Sequence, residues 1–150
     1  MKHWIKDDGG RVEAGFIHEF NDCTVRALAL SMQLPYAQAH AIMQSLGRPN
    51  KQGWYFHQLE SYDHIVEACQ GKVFKKFGNQ HCTVQTYIRN HLDGTYVLRM
   101  GHHVCCVIDG VAHDLRPWNN LKNCHVMYGY NVIQNLRQIE YKPLDTERNM

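Results

Sequence analysis

The stretch His103-Val104-Cys105-Cys106-Val107-Ile108-Asp109-Gly110-Val111-Ala112-His113-Asp114 constrains this chain most. Asp-Gly between two β-rich runs is a strong hairpin signal, because both residues tolerate the positive φ of a tight turn. With Asp109 and Gly110 as the turn, Ile108 faces Val111, and His103 falls one to two positions from the level of Asp114. Thr95-Tyr96-Val97-Leu98-Arg99-Met100, joined to this hairpin through Gly101, predicts another strand, and a further one is expected around His125 to Val132. The half of the chain before them reads as helical, so the expected class is α+β, with N-terminal helices packed on a C-terminal antiparallel sheet.

The first strong helix signal starts at Asn21-Asp22-Cys23, where Asn or Asp serves as N-cap. Val25, Leu28, Ala29 and Met32 then recur at i, i+3, i+4 and i+7, one buried face over about three turns. Pro35 suits the first turn of a second helix carrying Ala39, Ile42, Met43 and Leu46, which Gly47 closes. Thr83 caps a third, Val84 to Asn90. Between them, residues 48–62 mix Pro49 and Gly53 with Trp54, Tyr55 and Phe56, which points to a loop with a short helix after it. Asp7-Asp8-Gly9-Gly10 reads as a turn, leaving residues 1–20 as a loosely structured approach with a short strand. Without repeats, low-complexity tracts or linkers, residues 1–150 are expected to form one domain, with 1–13 and 140–150 loosely ordered.

Hydrophobic residues make up 44% and charged residues 20% of the chain, ordinary globular values. A net charge of +2 is too small for a nucleic-acid footprint, and Lys72, Lys75 and Lys76 read as a solvated face. No stretch approaches the ~20 apolar residues of a membrane helix, and the N-terminus has no secretory apolar region. Neither nucleic acid nor membrane is therefore an expected partner. Six cysteines without a leader point to free thiols in a reducing, cytoplasmic compartment. Eleven histidines raise the question of a metal, with His102, His103, Cys105, Cys106, Cys124 and His125 as the nearest grouping. Structural zinc sites usually carry paired ligands a few residues apart, however, and no C-x-x-C occurs here. Adjacent Cys105 and Cys106 in a strand face opposite sides and are expected in the core, so neither a metal nor another cofactor is expected.

A thiol attacks as thiolate, and free Cys has a pKa near ~8.5, so a nucleophilic cysteine needs help to ionise. A helix N-terminus supplies part of it through unpaired N–H groups and the positive end of the macrodipole. Of the six cysteines, Cys23 alone sits at a predicted helix start directly after cap residues. A free Cys there is also a common small core residue; the rest of the chain distinguishes the two. His103, at the head of an apolar strand, is placed to act as base, and Asp114 to fix its tautomer. His102 is the rival, since only one of two adjacent strand residues can face the thiol. His113 is expected as an exposed strand residue.

On these residues the chain resembles the papain-like cysteine peptidase superfamily in its compact phage and bacterial form. The matching pieces are Asn21 to Ala29, Gly94 to Leu98 and His103 to Asp114, in the order Cys, His, Asp, and the likeness spans about residues 14 to 120. The resemblance implies a papain-like fold in which Cys23 carries an acyl group, His103 is base then acid, and Asp114 orients it. Where the family commonly uses an upstream Gln to complete the oxyanion hole, this chain offers Asn21, unless its side chain is committed as N-cap. Trp118 either covers the His–Asp pair or is a core aromatic. The expected function is a thiol hydrolase acting on a peptide, isopeptide or amide bond, with a protein or peptide substrate. Two alternatives stand beside it: a catalytically degenerate binding module, such as a phage protein acting on a host factor in the host cytoplasm, and a transglutaminase-like acyl transferase.

Overall fold

The computed structural model describes residues 2–52, 72–77 and 81–134. Helices α1 (Cys23–Met32) and α2 (Tyr36–Ser45) come first after a short strand β1 (Trp4–Lys6). Strand β2 (Lys72–Phe77) and helix α3 (Val84–Asn90) follow. The remainder is β3 (Thr95–Arg99), β4 (Val104–Ile108), β5 (Val111–Asp114), the short helix α4 (Trp118–Leu121) and β6 (Tyr128–Gln134). The strands form one six-stranded sheet in the order β1-β5-β4-β3-β6-β2. All neighbours are antiparallel except β1 and β5, which run parallel. The fold is therefore α+β with a mixed sheet.

Alternation along the central strands divides the core between the two sheet faces. Val97, Val104 and Tyr130 pack with Val25, Leu28, Ala29 and Met32 of α1 and Ala39 and Met43 of α2. Leu98, Cys105, Val107 and Ala112 pack instead with Val84, Tyr87 and Ile88 of α3 and Leu121 of α4. The predicted face of α1 is buried, and Thr24, Arg26, Ala27 and Ser31 are buried as well, so the helix is enclosed on nearly every side. Cys106 lies opposite Val97, is fully buried, and fills the core as Cys105 does.

Local chemistry explains the boundaries. Thr83 Oγ1 accepts from the Thr86 N–H at 3.4 Å and starts α3 where its sequence places it. Asp109 (φ 48°) and Gly110 (φ 80°) make the β4–β5 turn and set Ile108 opposite Val111. Pro35 is the N-cap of α2 rather than its first turn, and Gly47, at φ 109°, follows its C-cap Leu46.

The expected layout is modified at three points. The short strand expected within residues 1–20 is β1, and it joins the sheet edge in parallel, through Trp4–Ala112, Ile5–His113 and Lys6–Asp114, so the sheet is not purely antiparallel. Asp7 and Asp8 then accept from the Gly9 and Gly10 N–H groups and build the predicted turn. The lysines at 72, 75 and 76 belong to a strand, β2, that alternation did not announce. The last strand begins at Tyr128, with His125 in an isolated bridge to Thr83. The aromatic trio Trp54, Tyr55 and Phe56, the helix expected after it and residues 140–150 lie outside the described residues.

Candidate active site

Because β4 and β5 are antiparallel, the start of β4 and the end of β5 lie at one end of the sheet, and α1 packs across β4 and β3. Three side chains distant in sequence meet there. Extending the register pairs Cys105 with Asp114, so Asp114 sits two positions from the level of His103. From there His103 Nε2 reaches Asp114 Oδ2 at 2.5 Å, with both residues buried. The half-buried Cys23 sulfur lies beside the same ring, close enough for each group to favour the other's charged form. The Val104 N–H also favours a thiolate at that sulfur.

The charges follow from these contacts. Burial works against a Cys23 thiolate, but His103, the Val104 N–H and Arg26 outweigh it and hold the thiol below its ordinary range. Burial likewise opposes an imidazolium at His103, and the hydrogen bonds to Asp114 and Cys23 overcome it, raising its pKa. Asp114 is lowered despite its burial, through His103 first and then Arg26. Cys105 and Cys106 show the contrast: burial pushes both thiols up, with no imidazole to offset it. Such an arrangement can ionise one particular sulfur and move a proton between it and a ring nitrogen.

Of the two adjacent histidines, His102 is exposed and His103 faces the cysteine. His113, expected as exposed, is half-buried, and its Nδ1 pairs with Asp7 Oδ2 at 2.9 Å beside β1. Trp118 packs with the α3-side cluster and near the His3 ring, as a core aromatic does. The cap differs from expectation. Asp22 is the N-cap residue, yet its side chain caps no helix N–H. Asn21, at φ 55°, is exposed and directs Nδ2 to the Lys51 carbonyl at 3.4 Å.

The Asp22 carboxylate is engaged elsewhere, in a network that sequence reasoning missed. Its Oδ1 accepts from Arg26 Nε at 3.0 Å and Arg11 Nη1 at 3.1 Å, and its Oδ2 from the Tyr36 hydroxyl at 2.8 Å. Arg26 Nη1 donates in turn to Asp114 Oδ1 at 2.9 Å. Asp and Arg four residues apart at a helix start were the available signal. A second group, also missed, ties down the chain just before Cys23. Glu19 accepts from Arg48 Nη2 at 3.1 Å and the Lys51 N–H at 2.8 Å, and pairs with His40 Nε2 at 2.7 Å. Beside it lies a cavity of about 180 Å³ lined by Phe16, Ile17, His18, Glu19, His40 and Lys51, among others. Among the described residues, no three His, Cys, Asp or Glu side chains are grouped so as to hold a metal ion, and no helix is long and apolar enough to cross a membrane. No protein-family model, curated protein or solved structure matches the chain.

Proposed function

We propose that this protein is a papain-like thiol hydrolase that cleaves a peptide, isopeptide or amide bond through an acyl-enzyme on Cys23. The observation that carries this reading is the adjacency of Cys23, the His103 ring and the Asp114 carboxylate it bonds, in which each group shifts its neighbour toward the charged form. In this mechanism the Cys23 proton resides on His103, and the thiolate attacks the substrate carbonyl carbon. The tetrahedral oxyanion takes hydrogen bonds from N–H groups that a helix start leaves without intrahelical acceptors. The Cys23 N–H is one of them, since the first helical bond at this end runs from the Arg26 N–H to the Asp22 carbonyl. His103 then gives its proton to the departing amine, leaving a thioester. Water, losing a proton to His103, attacks the thioester and releases the acid and the Cys23 thiol. The free thiols of Cys23, Cys82, Cys105, Cys106 and Cys124 fit a reducing, cytoplasmic setting.

Asn21 is not assigned the oxyanion role in this mechanism, because its amide is turned to the Lys51 carbonyl. That same contact favours a second reading, a papain-like binding module that no longer turns over. Incubation with an electrophilic peptidyl probe separates the two. The hydrolase reading expects covalent modification of the Cys23 peptide in the native protein and none in Cys23→Ala, with both proteins folded. A native protein that binds but never forms the adduct would support the binding module. Added amine acceptors distinguish hydrolysis from acyl transfer by the appearance of cross-linked product.

A further inference from the structure

Arg26 stands three residues after Cys23, on the same side of α1. Its guanidinium hydrogen-bonds no group of Cys23 but is buried and reaches two carboxylates at once. Its Nη1 donates to Asp114 Oδ1 at 2.9 Å and its Nε to Asp22 Oδ1 at 3.0 Å. The Leu115 N–H also donates to Asp114 Oδ1, at 2.8 Å. With one oxygen of Asp114 held from two directions, the carboxylate plane cannot turn, and Oδ2 is left aimed at His103 Nε2. Asp22 is braced in the same way by Arg11 and Tyr36. Charges thus alternate from the N-terminal loop inward through Arg11, Asp22, Arg26 and Asp114 to His103 and Cys23.

We propose that Arg26 is a positioning residue for the Cys23–His103 pair: by clamping Asp114 from the cysteine's own helix, it fixes which ring nitrogen faces the sulfur. The proposal rests on the reading of Cys23 and His103 as an activated pair. Geometry makes the fork of a guanidinium the relevant feature. Its planar, fixed N–H groups span two carboxylates, whereas a lysine ammonium is a single point charge. Arg26 also favours the ionised form of Asp114, and only a carboxylate can accept at both oxygens at once, from Arg26 and Leu115 at Oδ1 and from the ring at Oδ2. A buried ion pair that served stability alone would leave the sulfur's ionisation untouched when broken.

The test is the pH dependence of iodoacetamide alkylation at Cys23, followed by peptide mass, in the native protein, Arg26→Gln, Arg26→Lys, Asp114→Asn and the double variant Arg26→Gln/Asp114→Asn. Thermal unfolding of each variant is measured in parallel. Arg26→Gln is expected to move the alkylation midpoint upward and to slow the reaction at about pH 6 by roughly tenfold or more, the equivalent of about 1.4 kcal/mol. Arg26→Lys should fall between Gln and native. Arg26 acts mainly through Asp114 and in smaller part through its own charge on the sulfur, so the slowing that Arg26→Gln adds to Asp114→Asn should be much smaller than the slowing it causes alone. A native-like profile in Arg26→Gln, with only its melting temperature lowered, would overturn the proposal. If Arg26→Gln does not fold, Arg26→Lys decides: a fully native profile would show that the fork is not needed and would equally overturn it. An ordinary thiol profile in the native protein would instead remove the activated pair itself, an outcome distinct from failure at Arg26.

Discussion

Glu19 offers a quantitative test of how the chain before Cys23 is held. Its carboxylate is 7% exposed and would be costly to ionise there alone. Burial indeed works against its charge, but hydrogen bonds from Arg48 and His40, the Arg48 charge and the Phe20 N–H bring its pKa from an ordinary 4.5 to about 2. That drop corresponds to about 3 kcal/mol of stability at neutral pH. The sign follows from the direction. A carboxylate with a lowered folded pKa contributes fully above 4.5 and loses its contribution as pH falls toward 2, and by pH 3 somewhat less than half, roughly 1.4 kcal/mol, remains. Glu19→Gln keeps the shape but removes the charge, leaving Arg48, which is 2% exposed, without its carboxylate. The expected cost at pH 7 is about 3 kcal/mol, within the range for a broken buried pair. With urea slopes of roughly 1–3 kcal/mol per molar, the unfolding midpoint should fall by about 1–3 M. The gap between native protein and variant should shrink by about half at pH 3. Equal midpoints at pH 7, or a gap that does not change with pH, would refute the reasoning.

Other perturbations have equally definite outcomes. Asp114→Asn should keep the fold and lower turnover by about 10²-fold or more, because the ring loses the partner that orients it; steady-state rates on a cleavable amide measure this, and an unchanged rate would contradict it. Gly110→Ala should lower the melting temperature by several degrees. It places a side chain at φ 80°, with the new Cβ 3.2 Å from Leu92 Cδ2, and the cost is roughly 1–2 kcal/mol. An unchanged melting temperature would mean the turn is not held as described.

Much of this arrangement was legible in the sequence because the relevant interactions are local. The Asp109-Gly110 turn fixes the β4–β5 register, and the register alone brings His103 near Asp114. Thr83 and the spacing of Val25, Leu28, Ala29 and Met32 likewise place α3 and the buried face of α1. What escaped depends on tertiary context. β1 is three residues long and pairs with β5, more than a hundred residues away, so nothing within its own segment shows where the expected short strand joins the sheet. Asp22 looks like an N-cap, and its residue type is right for one. Its side chain is nonetheless drawn to Arg26, Arg11 and Tyr36, because a buried carboxylate gains more from charged partners than from one backbone N–H. Glu19, His40 and Arg48 come from a loop, a helix and another loop, and spacing gives no hint that they meet.

The most direct measurement is the alkylation rate of Cys23 as a function of pH in native protein and in His103→Ala, with Cys82 as internal reference. Burial raises the Cys82 thiol and no imidazole lowers it, whereas Cys23 has His103 at its sulfur. Cys23 should react readily at about pH 6, where Cys82 is silent, and His103→Ala should carry its midpoint up to or beyond the ~8.5 of a free thiol. If Cys23 reacted no faster than Cys82, or kept its profile without the imidazole, the two groups would not form an activated pair.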